Sequence, residues 1–330
     1  MLAWFVSTIF PLVLALSGMW ARVLGLVSRV FPPLGRLYDL VATTVVCALR
    51  LFAGNTFAFN TPKRRAEKPP KPLVLYEFEG CPFCRRVREA LSVLALDVIV
   101  YPCPRETLKQ YGFCKDSRFR PEVLAKGGKL QFPFLIDPNQ GNRQMYESDA
   151  IVSYLWQTYG ARATKPANYA IVTSSLARAL ELPLTMLVNP FLRCLPEHGH
   201  LRVPSKRPER PLELWGHQGS PFVMMVRERL CSLELPYLYH HLPRGDTEGR
   251  QDFKDRFGAR INTWRRTLGF VKIPFLIDPN TGVELFESGD IVAYLDEQYR
   301  VGPPPNESFA DYSSKGASST HGTLGGRKHD

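Results

Sequence analysis

The feature that most constrains the fold of this 330-residue chain is an internal repeat. The segment PFLIDPN begins at Pro133 and begins again at Pro274. Two further motifs match in the same order, Gly80-Cys81-Pro82-Phe83 with Gly219-Ser220-Pro221-Phe222 and Glu147-Ser148 with Glu287-Ser288. Because self-similarity over a long period marks repeated structural units, the sequence predicts two copies of one domain, over residues 72–160 and 211–300.

Each copy has the pattern of a mixed α/β domain. In the first copy, the apolar run Leu73–Phe78 predicts a buried strand. Pro82 follows a turn and suits the first position of a helix. A proline-led apolar strand then ends in an Asp-Pro-Asn turn, and helical spacing of apolar residues predicts a last helix over Ser148–Tyr159. A β-α-β unit followed by a hairpin and a helix predicts a mixed sheet with helices on both faces.

This order of motifs resembles the thioredoxin superfamily, with CPFC from Cys81, a strand that begins at Pro133 and Glu-Ser at the start of the last helix. The closest resemblance is to the glutaredoxin-like N-terminal domain of glutathione transferases. Two such domains in tandem are similar to plant and algal proteins that carry this domain twice. The resemblance implies two tandem thioredoxin-like domains, each with a mixed four-stranded sheet, joined by a helical connector over residues 161–210.

The CPFC motif is the candidate catalytic centre. Cys81 is expected at a helix N-terminus, where free amide groups and the helix dipole favour a thiolate, and Cys84 lies about one helical turn on. The family pattern makes Cys81 the nucleophile and Cys84 the resolving thiol. The alternatives are a structural disulfide or half of a metal site. A zinc site needs about four ligands, which Cys103 and Cys114 are poorly spaced to complete, so we predict no metal.

The resemblance also implies a binding site for glutathione, as cofactor and partner, beside Cys81. Its residues in the first copy are Pro82, Phe132, Pro133, Glu147 and Ser148. Pro133 matches a cis proline of the family, and the backbone of the preceding residue pairs with glutathione there. The carboxylate of Glu147 would bind the ammonium of the γ-glutamyl group, and Ser148 would bind its carboxylate. The alternative, for Ser148 and for its equivalent Ser288 in the second copy, is a plain helix N-cap.

The second copy departs from this pattern where the chemistry occurs. Ser220 and Val223 replace the two cysteines, so this copy has no dithiol. Its weaker equivalents of the first site are Ser220, Pro274, Glu287 and Ser288. A Ser-Pro-Phe motif resembles serine-type plant glutathione transferases, but neither copy is followed by the full helical domain of those enzymes.

The sequence therefore leaves three functions open. The leading prediction is a glutaredoxin-like thiol–disulfide oxidoreductase that uses glutathione and acts on oxidised or glutathionylated protein thiols. The second is a non-catalytic tandem module that binds glutathione or a protein. The third is a glutathione transferase that uses Ser220.

The positive charge of the chain is concentrated outside the repeats. The net charge is +11, and residues 1–66 hold seven bases and one acid. A nucleic-acid-binding protein carries its positive field on the folded body, so we predict no nucleic-acid partner.

Both ends of the chain differ in composition from the repeats. The apolar, acid-poor region 1–66 is interpreted either as a targeting sequence or as a membrane-associated segment through residues 2–53. For a targeting sequence, the resemblance to plant and algal proteins implies a plastid as the compartment. Residues 301–330, rich in Ser, Gly and Thr, are predicted to be disordered.

Overall fold

The structure is a computed structural model. It describes residues 16, 19–20, 23–27, 30–59, 68–105, 117–161, 163–193, 198–260 and 271–302. Most of the predicted leader before residue 30, and the predicted disordered tail after residue 302, lie outside the described residues.

The helices and strands follow the same order in both copies, after a helix α1 at Pro32–Leu49. The first copy contains β1 (Leu73–Glu77), α2 (Pro82–Val93), β2 (Val98–Pro102), α3 (Arg120–Gly127), β3 (Phe134–Asp137), β4 (Arg143–Met145) and α4 (Ser148–Tyr159). The connector contains α5 (Ala167–Val172) and α6 (Ser175–Leu192). The second copy contains β5 (Leu212–Gly216), α7 (Pro221–Ser232), β6 (Tyr237–His241), α8 (Thr247–Phe257), β7 (Phe275–Asp278), β8 (Val283–Phe286) and α9 (Ser288–Tyr299).

Each copy forms a four-stranded mixed sheet, as predicted. β1 pairs in parallel with β2 and antiparallel with β3, and β3 pairs antiparallel with β4. The second copy repeats these pairings with β5, β6, β7 and β8. Apolar side chains pack on both faces of the sheet, because helices cover both faces. The mixed α/β fold is confirmed.

The two sheets join into one, which the sequence did not predict. β2 pairs antiparallel with β6, with Val98 opposite Tyr239 and Val100 opposite Tyr237. The result is an eight-stranded sheet of order β4-β3-β1-β2-β6-β5-β7-β8. Pairing removes the open edges that β2 and β6 would otherwise present to other chains. Because the paired strands are equivalent, an approximate two-fold axis relates the copies.

The helices that precede each copy pack on the other copy. α1 packs on α7 of the second copy, where the Sγ of Cys47 lies 4.0 Å from the Sδ of Met224. α6 packs on α2 of the first copy, where Arg86 and Glu181 form an ion pair of 2.6 Å. These two helices therefore form a third layer above the helices that cover the sheet.

Matched buried ion pairs hold this third layer in place. One arginine follows each of the two helices and contacts both a glutamate of its own copy and an acid on the opposite helix. The pairs are Arg50 with Glu89 and Glu181, and Arg193 with Glu228 and Asp39. Charges removed from water are stable only when they are paired in this way.

Residues 32–58 of the predicted leader therefore pack as part of the two-copy body. In the part of the chain that the structure describes, no helix is both long and apolar enough to cross a bilayer. Whether residues 1–66 direct the chain to a plastid or hold it at a membrane stays a prediction.

Candidate functional site

Cys81 lies at the start of α2, between the end of β1 and the first helical turn. It is the N-cap residue, with an extended backbone (φ −87°, ψ 120°), and Pro82 occupies the first helical position. The Sγ of Cys81 accepts a hydrogen bond of 3.4 Å from the backbone N–H of Cys84. The sulfur therefore sits at the positive end of the helix dipole, where a negative charge is stabilised.

The pKa values of the two thiols in the motif shift in opposite directions. Burial raises the pKa of Cys81, but the hydrogen bonds from Cys84 and the charge of Arg88 outweigh it, so the pKa lies below its ordinary value. Burial and the neighbouring Cys81 raise the pKa of Cys84 well above its ordinary value. A thiolate beside a protonated thiol is the arrangement that dithiol exchange uses.

Both sulfur atoms are shielded from solvent. Cys81 is 6% exposed and Cys84 is fully buried. They pack in an apolar cluster with Phe78, Phe132 and Cys231, the last of which comes from α7 of the second copy. Any reaction of Cys81 with a molecule in solution therefore requires part of this cover to move.

The cover includes a segment of the connector, residues 198–203, which we call the clasp. The N–H of Arg105 donates to the carbonyl of His200 at 3.0 Å, and the N–H of Arg202 donates back to the carbonyl of Arg105 at 2.7 Å. The His200 ring lies against Gly80, where an added Cβ would be 2.1 Å from its Nδ1. The glycine before Cys81 is thus required for this close approach, and the sequence did not predict the clasp.

The predicted proline stands beside Cys81. The Phe132–Pro133 peptide bond is cis, and the Phe132 ring contacts Phe78 edge-on at 6.1 Å, in the cluster that holds Cys81. The guanidinium of Arg120 lies 4.9 Å from the Phe132 ring centroid. The fold therefore brings the cis proline and the thiol to one place.

Glu147 and Ser148 lie at the N-terminus of α4 in a strained backbone. Glu147 has φ 66°, in the left-handed region that disfavours residues other than glycine. Such strain concentrates at functional sites. The Glu147 side chain is exposed and accepts a hydrogen bond from the Nε2 of Gln131.

The interpretation of Ser148 as an N-cap is wrong. Glu147 is the N-cap residue, no side chain caps α4, and Ser148 is the first helical residue, 6% exposed. The reason is the left-handed backbone of Glu147. It makes Glu147 the last residue before the helix, so the helix begins at Ser148 and not at the residue after it. Ser288 has the same position after Glu287, so its N-cap interpretation is wrong too.

Two arginines stand next to this helix start. Asp149 forms ion pairs with Arg86 of α2 at 3.5 Å and with Arg178 of α6 at 3.1 Å. The α4 N-terminus therefore lies beside positive charge from the first copy and from the connector.

The second copy reproduces this geometry without the cysteines. The Oγ of Ser220 accepts from the N–H of Val223 at 3.4 Å, as Cys81 does from Cys84. The Ile273–Pro274 bond is cis, and Glu287 has φ 70° and forms an ion pair of 2.7 Å with Lys272. Ser220 and Ser288 are each 7% exposed.

A segment before the first copy covers the second site as the clasp covers the first. The N–H of Phe57 donates to the carbonyl of Arg244 at 2.8 Å. Gly219 lies against Phe52, whose carbonyl oxygen would be 2.3 Å from an added Cβ. The two covers are therefore equivalent under the approximate two-fold axis.

A buried charge network links the first site to the second copy. Arg88 binds the carboxylate of Glu77 and the carbonyl of Glu79, the latter at 3.1 Å. Glu79 also accepts from Arg227 of α7 at 3.0 Å. The sequence signal for these arginines is the tripeptide Val-Arg-Glu, which begins at Val87 and again at Val226.

The structure also bears on metal binding. In the described ranges, no three His, Cys, Asp or Glu side chains lie close enough together to hold a metal ion.

Comparison with known proteins identifies the repeated domain. The model of the family described as Glutathione S-transferase, N-terminal domain matches residues 75–163 and 214–305, together more than half of the chain. The Glutathione S-transferase-like protein OpS6 of Beauveria bassiana (strain ARSEF 2860) is 34% identical over 105 residues, which cover 32% of this chain and 43% of that protein. This chain thus spans less than half the length of that curated relative. No solved structure matches significantly.

The two matched ranges overlap the two copies, one range with each copy. The prediction of two tandem thioredoxin-like domains of the glutathione-transferase N-terminal type is therefore confirmed. The resemblance to plant and algal proteins in particular stays a prediction.

Proposed function

We propose that this chain, which belongs to the glutathione S-transferase N-terminal domain family, is a glutathione-linked thiol–disulfide oxidoreductase that acts through Cys81. The observation that carries the proposal is the asymmetry of the CPFC thiols. The pKa of Cys81 is lowered and that of Cys84 is raised, next to the cis Phe132–Pro133 bond.

The residues around Cys81 suit glutathione as a co-substrate. The exposed carboxylate of Glu147 would bind the ammonium of the γ-glutamyl group. The carboxylate of the γ-glutamyl group would lie at the N-terminus of α4, where amide groups favour an anion. The hydroxyl of Ser148 would bind it there, because this hydroxyl does not cap the helix. The backbone of Phe132, before the cis proline, would pair with the peptide part and direct the glutathione sulfur toward Cys81.

The reaction then has two steps, after which glutathione regenerates the two thiols. The Cys81 thiolate attacks the glutathione sulfur of a glutathionylated protein, which forms a mixed disulfide on Cys81 and releases the protein thiolate to take up a proton. Cys84 loses its proton and attacks the Cys81 sulfur, which forms the Cys81–Cys84 disulfide and releases glutathione. A further glutathione pair reduces that disulfide and leaves as the oxidised dimer.

Because Cys81 is only 6% exposed, the proposal includes movement of the clasp before attack. The clasp pairs with the loop after β2 through two backbone hydrogen bonds at Arg105. Local opening of such a segment takes less free energy than unfolding of the whole protein.

The second candidate is a non-catalytic tandem module that binds glutathione or a protein. The burial of Cys81 and Cys84 favours it, because a module that only binds has no need of an accessible thiol. Both candidates share the proposed glutathione-binding residues Phe132, Glu147 and Ser148 and differ in whether Cys81 reacts.

Reduction of a glutathione mixed disulfide by the full chain tests the proposal. The wild type should reduce it, Cys81→Ser should abolish the activity, and Ser220→Ala should leave it unchanged. If Cys81→Ser retains the wild-type rate, the proposal is wrong. If the wild type binds glutathione and reduces nothing, the binding module is the function. A conjugation activity lost only in Ser220→Ala would instead identify a transferase.

A further inference from the structure

The outermost layer of the molecule has an apolar surface on its solvent side. The inner side of α1 buries Ala42, Val46 and Cys47 against α7. Its opposite side carries a stripe of leucines and valines that are 40 to 55% exposed. These residues are Leu34, Leu37, Val41, Val45 and Leu49. A helix on the surface of a globular protein normally presents polar residues to solvent, so this face of α1 lacks a partner in the described structure.

The apolar surface extends beyond α1. Described residues before α1 and on α5 and α6 are also exposed and apolar. They are Met19, Trp20, Val23, Leu26, Val30, Phe31, Ile171, Leu176 and Leu180. We call this set, with the stripe on α1, the outer apolar face. Apolar surfaces of this extent mark sites of association with another molecule.

The part of the sequence that contains α1 is basic. Residues 1–66 contain a single acid, Asp39, and seven bases. The Asp39 carboxylate lies 3.3 Å from Arg193 and 3.0 Å from His198, both of them buried residues of the body. Arg36, on α1, is exposed. The helix thus exposes an apolar stripe and, elsewhere on its surface, Arg36, while its acid is paired with the body.

We propose that the outer apolar face docks on an anionic membrane surface, with α1 lying in the plane of the interface. A helix with an exposed apolar stripe, an exposed base and a single acid that is paired with the protein body has the composition of an interfacial helix. Negatively charged lipid headgroups attract such bases. At 18 residues, α1 is about 27 Å long, which allows all five residues of its stripe to enter the interface together.

Co-sedimentation of the full chain with lipid vesicles tests this proposal. The protein should bind vesicles of phosphatidylcholine with phosphatidylserine more tightly than vesicles of phosphatidylcholine alone. High salt should weaken the binding, because it screens the attraction between bases and lipid. In Val41→Glu/Val45→Glu, the bound fraction should fall about tenfold or more. Two apolar contacts with the membrane are lost, and the anionic lipid repels the two new carboxylates.

Leu124→Glu is the matched control. Leu124 is 42% exposed on α3, on the opposite side of the sheet, so this variant should bind vesicles as the wild type does. Circular dichroism and thermal melting should show that the wild type, the double glutamate variant and Leu124→Glu are equally folded.

Two outcomes would overturn the proposal. The first is that the wild type fails to bind anionic vesicles at low salt, or binds them as the double glutamate variant does. The second is that the wild type forms a dimer that the double variant disrupts, with no vesicle binding, which would assign the face to self-association.

Discussion

The sulfur atoms of Cys81 and Cys84 lie one helical turn apart, and their surroundings give them different chemistry. Cys81 precedes the helix and accepts an amide hydrogen bond, whereas Cys84 is inside the first turn and fully buried. In the second copy Ser220 keeps the hydrogen bond, and Val223 keeps the burial. The local geometry is therefore the same in both copies, and only the first has the two thiols that the proposed exchange needs.

Cys84→Ser should trap the mixed disulfide between Cys81 and glutathione. No thiol at position 84 remains to attack the Cys81 sulfur, so the adduct cannot be released internally. Incubation with oxidised glutathione followed by peptide mass spectrometry should find one adduct, on Cys81. The double variant with Cys81→Ser should carry none, and an adduct mapped to Cys231 instead would contradict the proposed roles.

The sequence predicted where the candidate site residues lie in the fold, and it did not predict their cover. Pro133 and Glu147 belong to short motifs that both copies share, and Cys81 has the place that Ser220 has in the second copy, so their positions follow from local order. The clasp follows from pairing between distant segments, such as Arg105 with His200, and no local pattern encodes it.

At the scale of elements, the helices before each copy are held by buried arginines. Arg193→Met should lower the free energy of unfolding by about 3 kcal/mol or more, because it leaves the buried carboxylate of Glu228 unpaired. Arg178→Met is the control, since Arg178 pairs with the exposed Asp149 and its loss should change stability by less than about 1 kcal/mol. Urea unfolding of both variants measures the difference, and equal stabilities would show that the ion pair does not hold the helix.

The clasp is an element whose movement can be tested. Gly199 has φ 75°, and an added Cβ would lie 2.7 Å from the Cβ of Glu79. Gly199→Ala should therefore loosen the clasp and increase the alkylation rate of Cys81 at least about fivefold, given a strain of about 1–2 kcal/mol. Gly282→Ala is the matched control, because Gly282 has the same φ with open space around it. Equal rates in both variants would mean that the clasp does not limit access to Cys81.

Pairing of the two copies illustrates why the sequence predicted elements better than their assembly. The strands β2 and β6 were both expected from their apolar pattern, but nothing in Val98–Pro102 or Tyr237–His241 marks them as partners. The composition of α1 suggested a leader, because a helix that packs on one side and is apolar on the other reads like a membrane segment.

At the scale of the whole molecule, the chain has the organisation of a dimer within one polypeptide. The two copies share one eight-stranded sheet, and α1 and α6 each pack on the copy that they do not directly precede. A segment from the other half of the chain covers each copy's site. Access to Cys81 is therefore coupled to the contact between the two copies, rather than to the first domain alone.

Alkylation of the folded full chain with iodoacetamide as a function of pH, with the modified peptide identified by mass spectrometry, tests this account most directly. A lowered pKa keeps Cys81 ionised at pH values where an ordinary thiol is protonated. The account predicts that Cys81 is modified first, with a midpoint below about 8.5, while Cys84 stays unmodified. A Cys81 that reacts only with a midpoint at or above that value, or only after unfolding, would contradict it.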